Sequence, residues 1–177
     1  WRSGIRTTGW PPRSLTPLDP VDAKNSIAEM GELAEENGLA RLSKLCASGS
    51  GDAAFLGSVF DLSEFMRDSA RRQPEALERL FDTSVAKRLD EIEAAVAQLP
   101  YGDDATESGL MRNLRLLKGE AHFLIALDDL AGEADASETV ARLSRLADAC
   151  VGAAIDFLLR DAHEQGKLKL SDPANPA

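Results

Sequence analysis

Few side chains in this sequence are placed to form a catalytic centre. The histidines, His122 and His163, and the cysteines, Cys46 and Cys150, each stand alone within helical patterns, and none has the spacing of a metal ligand set. His163 lies near a predicted helix C-terminus, where a histidine is favoured by the helix dipole. Motifs of zinc proteases, nucleophile elbows and P-loops do not occur. We therefore expect no catalytic, cofactor-binding or metal-binding residue in this chain.

Two polar segments deserve a comparison with ligand-binding motifs. The Gly-Ser run at 49–52 lacks a preceding strand and a following lysine, so it predicts a turn between helices rather than a phosphate-binding loop. Asp103 and Asp104 precede a predicted helix, and the positive end of that helix dipole accounts for them without a metal ion.

The candidate contact residues lie on one predicted long helix, over about 105–131. Asp128 projects toward the apolar stripe of this helix, so we expect an arginine or backbone group to pair with it, because an unpaired buried carboxylate costs several kcal/mol. Arg112, Arg115 and Lys118 flank the same stripe. They are either solubilising charges or a patch that meets an acidic neighbour or a nucleotide phosphate. The stripe consists of Leu110, Leu114, Leu117, Ala121 and Leu124.

Composition and charge exclude several classes of protein. Of 177 residues, 44% are apolar and 28% are charged, as in globular proteins. The net charge of −10 opposes binding to nucleic acid or to an anionic membrane. No apolar run is long enough to cross a bilayer or to serve as a secretory signal. Two separated cysteines fit a reduced compartment, so we expect a cytoplasmic protein.

Apolar residues recur at helical spacing from Asp19 onward, and β-branched and aromatic residues are too sparse for a sheet. This pattern predicts an all-α protein: an irregular multi-helix bundle that ends in a long antiparallel helical hairpin. Asp-x-x-Glu pairs predict helix starts at Asp61, Asp104 and Asp135. A break is expected near Phe60. The predicted helices cover about 20–37, 39–47, 53–60, 61–72, 74–81, a segment opened by Thr83 or Ser84 and ending at Leu99, then 105–131 and 135–165.

The two ends of the chain differ in composition from the helical part. Residues 1–19 are rich in arginine and turn formers, which predicts an irregular arm. Residues 20–166 form the predicted helical domain. Residues 167–177 are polar and contain proline, as in a linker, and we expect them to lead toward a further domain. Since the first residue is Trp1 rather than Met, we expect the chain to be a piece of a longer protein.

Several stretches carry a family resemblance. One is LMRNLRLLKGEAHF, a basic leucine-rich helix that includes Arg112, Arg115 and Lys118. It is followed by LIALDDLAG and then by the helix VARLSRLADAC. Upstream, FLGSVFDLSEFMRDSARRQPEALERLF belongs to the same pattern. Over about residues 23–170 the sequence resembles the N-terminal helical region of the bifunctional glutamine synthetase adenylyltransferase and deadenylylating enzymes.

The resemblance implies a function for the parent protein rather than for this piece. Such a parent transfers AMP from ATP to glutamine synthetase and removes it by phosphorolysis, under control of the PII protein. Its nucleotidyltransferase domain uses magnesium and ATP through a G-S and D-x-D motif. That motif is absent from this sequence. The chain is then expected to be a non-catalytic helical segment that packs on the downstream nucleotidyltransferase domain.

Two other hypotheses belong to different classes. A free-standing acidic helical module would bind a protein partner without an enzymatic parent. An acidic DNA-associated regulator would need clustered basic residues on a recognition helix, and Arg112, Arg115 and Lys118 alone come near this requirement. A segment of the enzyme should instead leave an apolar or basic surface uncovered around the 105–131 helix.

Overall fold

The structure, a computed structural model, describes residues 14–102, 106–172 and 176. These residues form helices and contain no β-strand, which confirms the all-α prediction. A 3-10 turn, Leu99–Tyr101, follows the sixth α-helix directly. The α-helices are α1 (Pro20–Glu36), α2 (Ala40–Ala47), α3 (Gly51–Leu62), α4 (Glu64–Arg72), α5 (Glu75–Arg79), α6 (Val85–Gln98), α7 (Glu107–Ala131) and α8 (Ala136–Glu164).

The first helix starts and ends as its sequence predicts. The Asp19 carboxylate accepts hydrogen bonds from the backbone N–H groups of Val21 and Asp22, at 2.7 and 3.3 Å. Pro20 occupies the first helical position, where no N–H partner is needed. Asn37 caps the C-terminal end. These capping signals therefore mark the observed bounds of α1.

The junction between α3 and α4 differs from the sequence prediction. Two short helices with a break between them are confirmed, but the break lies at Ser63 rather than near Phe60, and the predicted cap at Asp61 is wrong, because α3 continues to Leu62. Ser63 separates the two helices in an extended conformation, with φ −143° and ψ 107°. Its hydroxyl accepts a hydrogen bond from the Met66 N–H, at 3.3 Å. A serine cap at this position satisfies the first turn of α4 as well as an aspartate would.

The next helix is shorter than predicted. The predicted helix over 74–81 is reduced to α5, Glu75–Arg79, with Pro74 just before it rather than at its first position. Beyond α5 the backbone N–H groups of Leu80 and Phe81 donate to carbonyls three residues back. This tighter hydrogen-bond spacing is typical of a helix that is ending.

Side-chain caps also define the next two helices. Ser84, one of the two predicted caps, precedes α6. The α7 helix, predicted over 105–131, begins at Glu107, and the Thr106 hydroxyl accepts a hydrogen bond from the Gly109 N–H at 3.1 Å. The expectation for Asp104 lies outside the described residues.

The helices α7 and α8 form the predicted antiparallel hairpin. Gly132 ends α7 in the left-handed conformation, with φ 78°, which glycine adopts without steric cost. The Asp135 carboxylate caps α8 by accepting a hydrogen bond from the Glu138 N–H at 2.8 Å, as predicted. Across the turn, the Thr139 hydroxyl donates to the Asp129 carboxylate at 3.1 Å. The α8 helix also packs on α6 and on the 3-10 turn.

One continuous core unites the described helices, and α1 lies across α2 and α3. At the α1–α3 crossing, a Cβ on Gly57 would lie 2.8 Å from the Ala23 carbonyl oxygen, so only glycine permits this approach. The largest fully buried side chains are Met30, Leu42, Leu56, Val59, Phe60, Met66, Leu77, Leu80, Ile92, Phe123, Leu124 and Leu127.

The described residues at the two ends are not helical. Residues 14–19 run along α3, whereas residues 1–13 of the predicted arm lie outside the described residues. After α8, the Leu170 N–H donates to Nδ1 of His163 at 3.3 Å. The division into an arm, a domain at 20–166 and a linker at 167–177 stays a prediction.

Candidate interaction surface

The basic residues singled out in the sequence lie on the outer side of α7. Arg112, Arg115 and Lys118 are exposed, and none of them makes an ion pair with a described residue. Arg112 lines a groove of about 400 Å³ between the end of α6 and the start of α7. Exposed Met111 and Leu116 share this side of the helix. We call these five residues the α7 basic face.

Asp128 lies inside the hairpin. Its carboxylate is 5% exposed and accepts a hydrogen bond from the Arg142 guanidinium of α8, which is 6% exposed. Glu138 binds the second amino group of Arg142. Burial alone would lower the pKa of Arg142, but the two carboxylates raise it above its ordinary value. The prediction that Asp128 is paired is confirmed, while a contact role for Asp128 stays a prediction.

A second buried carboxylate was not anticipated from the sequence. Glu120 of α7 is 6% exposed and accepts hydrogen bonds from Nε and Nη2 of Arg88, at 2.8 and 3.0 Å. Arg79 adds a third, at 3.1 Å. These bonds raise the pKa of Arg88 and connect the end of α5 and the start of α6 to α7. Glu120 directly precedes Ala121 of the apolar stripe of α7, and this position was the available signal in the sequence.

A line of large apolar side chains is exposed along α8. At about 100° per residue they fall within an arc of about 120°, and at 1.5 Å per residue they extend over about 27 Å. Their exposed fractions run from 40% to 62%. We call this set the α8 apolar stripe. It consists of Val140, Leu143, Val151, Ile155 and Leu158.

The buried side of α8 is a different one. Leu146, Ala153 and Phe157 are buried against the rest of the fold. Thus α8 is apolar on two sides, and the described residues cover only one of them. Val140 and Phe157 are both apolar residues of α8, but the structure exposes the first and buries the second.

Among the residues that the structure describes, the histidine and cysteine side chains belong to no cluster of three metal-ligating groups. Burial and the nearby Lys118 charge lower the pKa of His122. Burial raises the pKa of the Cys46 thiol to about 11 and also raises that of Cys150. A thiol with a raised pKa is a poor nucleophile at neutral pH, because the thiolate is the reactive form.

The family resemblance implies magnesium for the parent enzyme, but the described part of the chain contains no cluster of side chains that would hold this ion. Within residues 14–102 and 106–172, no three His, Cys, Asp or Glu side chains come together as a metal site. The buried carboxylates Asp128 and Glu120 are each occupied by arginine. In the same part of the chain, no helix combines the length and apolarity that a membrane span requires.

Comparison with known proteins decides the family. The model of the glutamate-ammonia ligase adenylyltransferase family matches residues 54–176, which is more than half of the chain. The chain belongs to this family. No solved structure matches it significantly.

Three curated relatives in this family share one name with one another. The bifunctional glutamine synthetase adenylyltransferase/adenylyl-removing enzyme of Mesorhizobium japonicum is 55% identical over 96% of this chain. Those of Brucella suis and Agrobacterium fabrum are 40% and 32% identical over 92% and 94% of the chain. The chain spans 18%, 16% and 17% of these three relatives.

Proposed function

We propose that this chain is a non-catalytic helical segment of an enzyme that adenylylates and deadenylylates glutamine synthetase. Membership of the adenylyltransferase family supports the identity of the enzyme. The chain spans only 18% of the Mesorhizobium japonicum relative, which supports its being one segment of such an enzyme. Magnesium and ATP are then used by other parts of the enzyme. Glutamine synthetase is its substrate, PII its regulator and the cytoplasm its compartment.

The α8 apolar stripe carries the proposal for what the segment does. Solvent-exposed apolar side chains scattered singly are normal, but a contiguous row along one helix marks an interaction site. Burying such a row contributes about 25 cal/mol per Å² of apolar surface. The stripe packs against another part of the same enzyme, which we propose to be its nucleotidyltransferase domain.

The α7 basic face would add specificity to this contact. Its three cations have no ion-pair partner among the described residues, so pairing them with carboxylates of a neighbour breaks no existing bridge. Charged groups at the rim of an interface mainly set orientation and association rate. In this proposal the α8 apolar stripe provides the affinity of the contact. Arg112, Arg115 and Lys118 fix the orientation of the two surfaces relative to each other.

The test uses the whole enzyme that contains this chain. Val151→Glu places a charge in the middle of the stripe, where the side chain is 58% exposed, so the helix itself tolerates the change. We expect easier cleavage by a protease around α8 and lower rates of both adenylylation and deadenylylation. Val21→Glu, on α1 and 66% exposed, is the matched control and should leave both unchanged.

The opposite result has a clear meaning. If Val151→Glu changes neither protease sensitivity nor either rate, the stripe does not pack inside the enzyme. An unchanged enzyme would instead favour a helical module that binds a separate protein partner. Far-ultraviolet circular dichroism of both variants confirms that the helices are intact.

A further inference from the structure

We propose that the exposed side of α8 binds an amphipathic helix with basic flanks, and that this helix belongs to another part of the same polypeptide. The inference rests on the proposed function and deepens it, because it states which kind of element covers the α8 apolar stripe. Three features of α8 support it: the spacing of its uncharged residues, the sign of the charges beside them, and the area that they offer.

The exposed side of α8 has the periodicity of a surface that pairs with another helix. Six uncharged residues recur at alternating spacings of four and three residues, a mean period of about 3.5 residues. Two helices that cross at about 20° keep such a line of side chains in contact over many turns. Five of the six residues are exposed, and Ala154 is half-buried. We call this set the α8 seam. It consists of Val140, Ser144, Ala147, Val151, Ala154 and Leu158.

The middle of the seam consists of small side chains. Ser144 and Ala147 leave room for a neighbouring backbone, and the axes of two helices come within about 8 Å where such residues meet. Leu143 and Ile155 of the α8 apolar stripe lie at about 60° to either side of the seam. They widen the apolar contact, so the seam and the stripe form one surface for one neighbour.

The charges next to the seam are acidic. At about 100° per residue, Asp148 and Asp161 are the charged residues of α8 that lie within about 90° of the seam. Asp148 is exposed and makes no ion pair with a described residue. Arg145 lies further round the helix and binds Glu93. A partner helix with Lys or Arg beside its apolar side therefore complements this surface.

Charge and area both disfavour a second copy of this chain as the partner. Two copies that paired through the seam would bring two Asp148 carboxylates to one interface, where like charges oppose association. The seam covers about 27 Å by 10 Å, or about 270 Å², whereas a stable complex of separate proteins buries about 800 Å² on each side. A contact of this size suffices within one polypeptide, because the covalent connection raises the effective concentration. The chain spans 18% of its Mesorhizobium japonicum relative, so most of such an enzyme lies outside it.

Photo-crosslinking in the whole enzyme that contains this chain tests the geometry of the contact. The crosslinking residue p-benzoylphenylalanine replaces Val140 in one variant and Leu158 in another, where the native side chains are 62% and 58% exposed. The two positions are 18 residues apart, from 140 to 158, which is about 27 Å along α8. Mass spectrometry of the products should locate two adducts about 18 residues apart in one segment of the same polypeptide, with Lys or Arg beside them. An extended strand covers the same distance in about 8 residues.

Several crosslinking results would overturn the proposal. Adducts at the spacing of a strand, adducts in an acidic segment, adducts to a second molecule, or no adducts at all would each contradict a basic-flanked helix on the seam. The control places the same crosslinking residue at Val21 on α1, which is 66% exposed. It should not label the segment, and equal labelling from Val21 would also contradict the proposal.

A charge reversal tests the acidic flank of the seam. In the whole enzyme, Asp148→Lys should speed protease cleavage around α8 several-fold, because it places like charges at the contact. Glu32→Lys, at an exposed position of α1, changes the net charge by the same amount and should leave this rate unchanged. Equal effects of the two substitutions, or no effect of Asp148→Lys, would contradict the basic flanks of the partner.

The proposed function and this inference fail in different ways. If Val151→Glu has no effect in the enzyme, the α8 apolar stripe is not packed there and both are wrong. If Val151→Glu opens α8 but the adducts lie at strand spacing, or Asp148→Lys has no effect, the stripe packs inside the enzyme and only the basic-flanked helix is wrong.

Discussion

Replacing Arg142 by methionine is expected to destabilise the hairpin strongly. Methionine keeps most of the apolar volume but removes the cation that faces Asp128, a carboxylate only 5% exposed. Removing one partner of a buried ion pair costs about 3–5 kcal/mol, because the remaining charge is neither solvated nor paired. For a chain of this length each kcal/mol lowers the Tm by about 2–4 °C. A decrease in the Tm of about 6–20 °C is therefore expected.

The assay compares urea and thermal unfolding by circular dichroism for three variants. Arg142→Met should show the full loss in the free energy of unfolding. The double variant Asp128→Leu with Arg142→Met should recover much of it, because two apolar side chains replace a pair that is costly to desolvate. Arg145→Met is the matched control, since its side chain is 51% exposed and its bridge to Glu93 is long, at 3.4 Å. It should cost about 1 kcal/mol or less.

Two results would refute this reasoning about the Asp128 pair. One is a cost for Arg142→Met as small as that for Arg145→Met, which would mean that water reaches Asp128 in the folded state. The other is a double variant at least as unstable as Arg142→Met, which would mean that the guanidinium contributes packing rather than charge compensation.

Two further predictions concern helix packing and pH. Gly57→Ala should lower the free energy of unfolding in urea titrations, because its Cβ would lie 2.8 Å from the Ala23 carbonyl oxygen and overpacking costs about 1–3 kcal/mol. At Gly119 a Cβ would meet no atom within 4 Å, so Gly119→Ala should instead raise the free energy of unfolding by about 0.5–1 kcal/mol. Equal effects of the two substitutions would contradict the close contact between α1 and α3 at Gly57. Burial raises the pKa of Cys46 from 9.0 to about 11, so the unfolded thiol ionises first and stability should fall as the pH rises from 9 to 11. Cys46→Ala should remove this part of the pH dependence, and an unchanged slope would show that other groups cause it.

Elements set by local chemistry were predictable from the sequence. Asp19 and Asp135 cap their helices through N–H groups two or three residues away, so the signal lies within one turn. Asp61 carries the same local signal but binds Leu18 and Asp19 through contacts that span more than forty residues. A local sequence pattern does not reveal that these distant N–H groups bind the Asp61 carboxylate. Ser63 therefore caps α4 in place of Asp61.

The candidate surface was predictable in outline only. Pairing of Asp128 followed from its place on an apolar stripe, but its partner Arg142 depends on the register of the hairpin. Glu120 lies between helices that meet only in the folded chain. In α8 the helical spacing of apolar residues includes both Val140 and Phe157. This pattern does not predict which of the two packs against a neighbouring helix, and the structure buries only Phe157.

Only Ser63 lies between α3 and α4, so the connection between these two helices is too short to absorb a change in length. Ser63 ends one helix and caps the next, so the rotational phase of α4 follows directly from that of α3. Adding or deleting one residue here would turn α4 by about 100° and carry Met66 and Ala70 out of the core. Homologous sequences should therefore align across this junction without gaps, while the turns around 37–39 and 48–50 are free to vary in length.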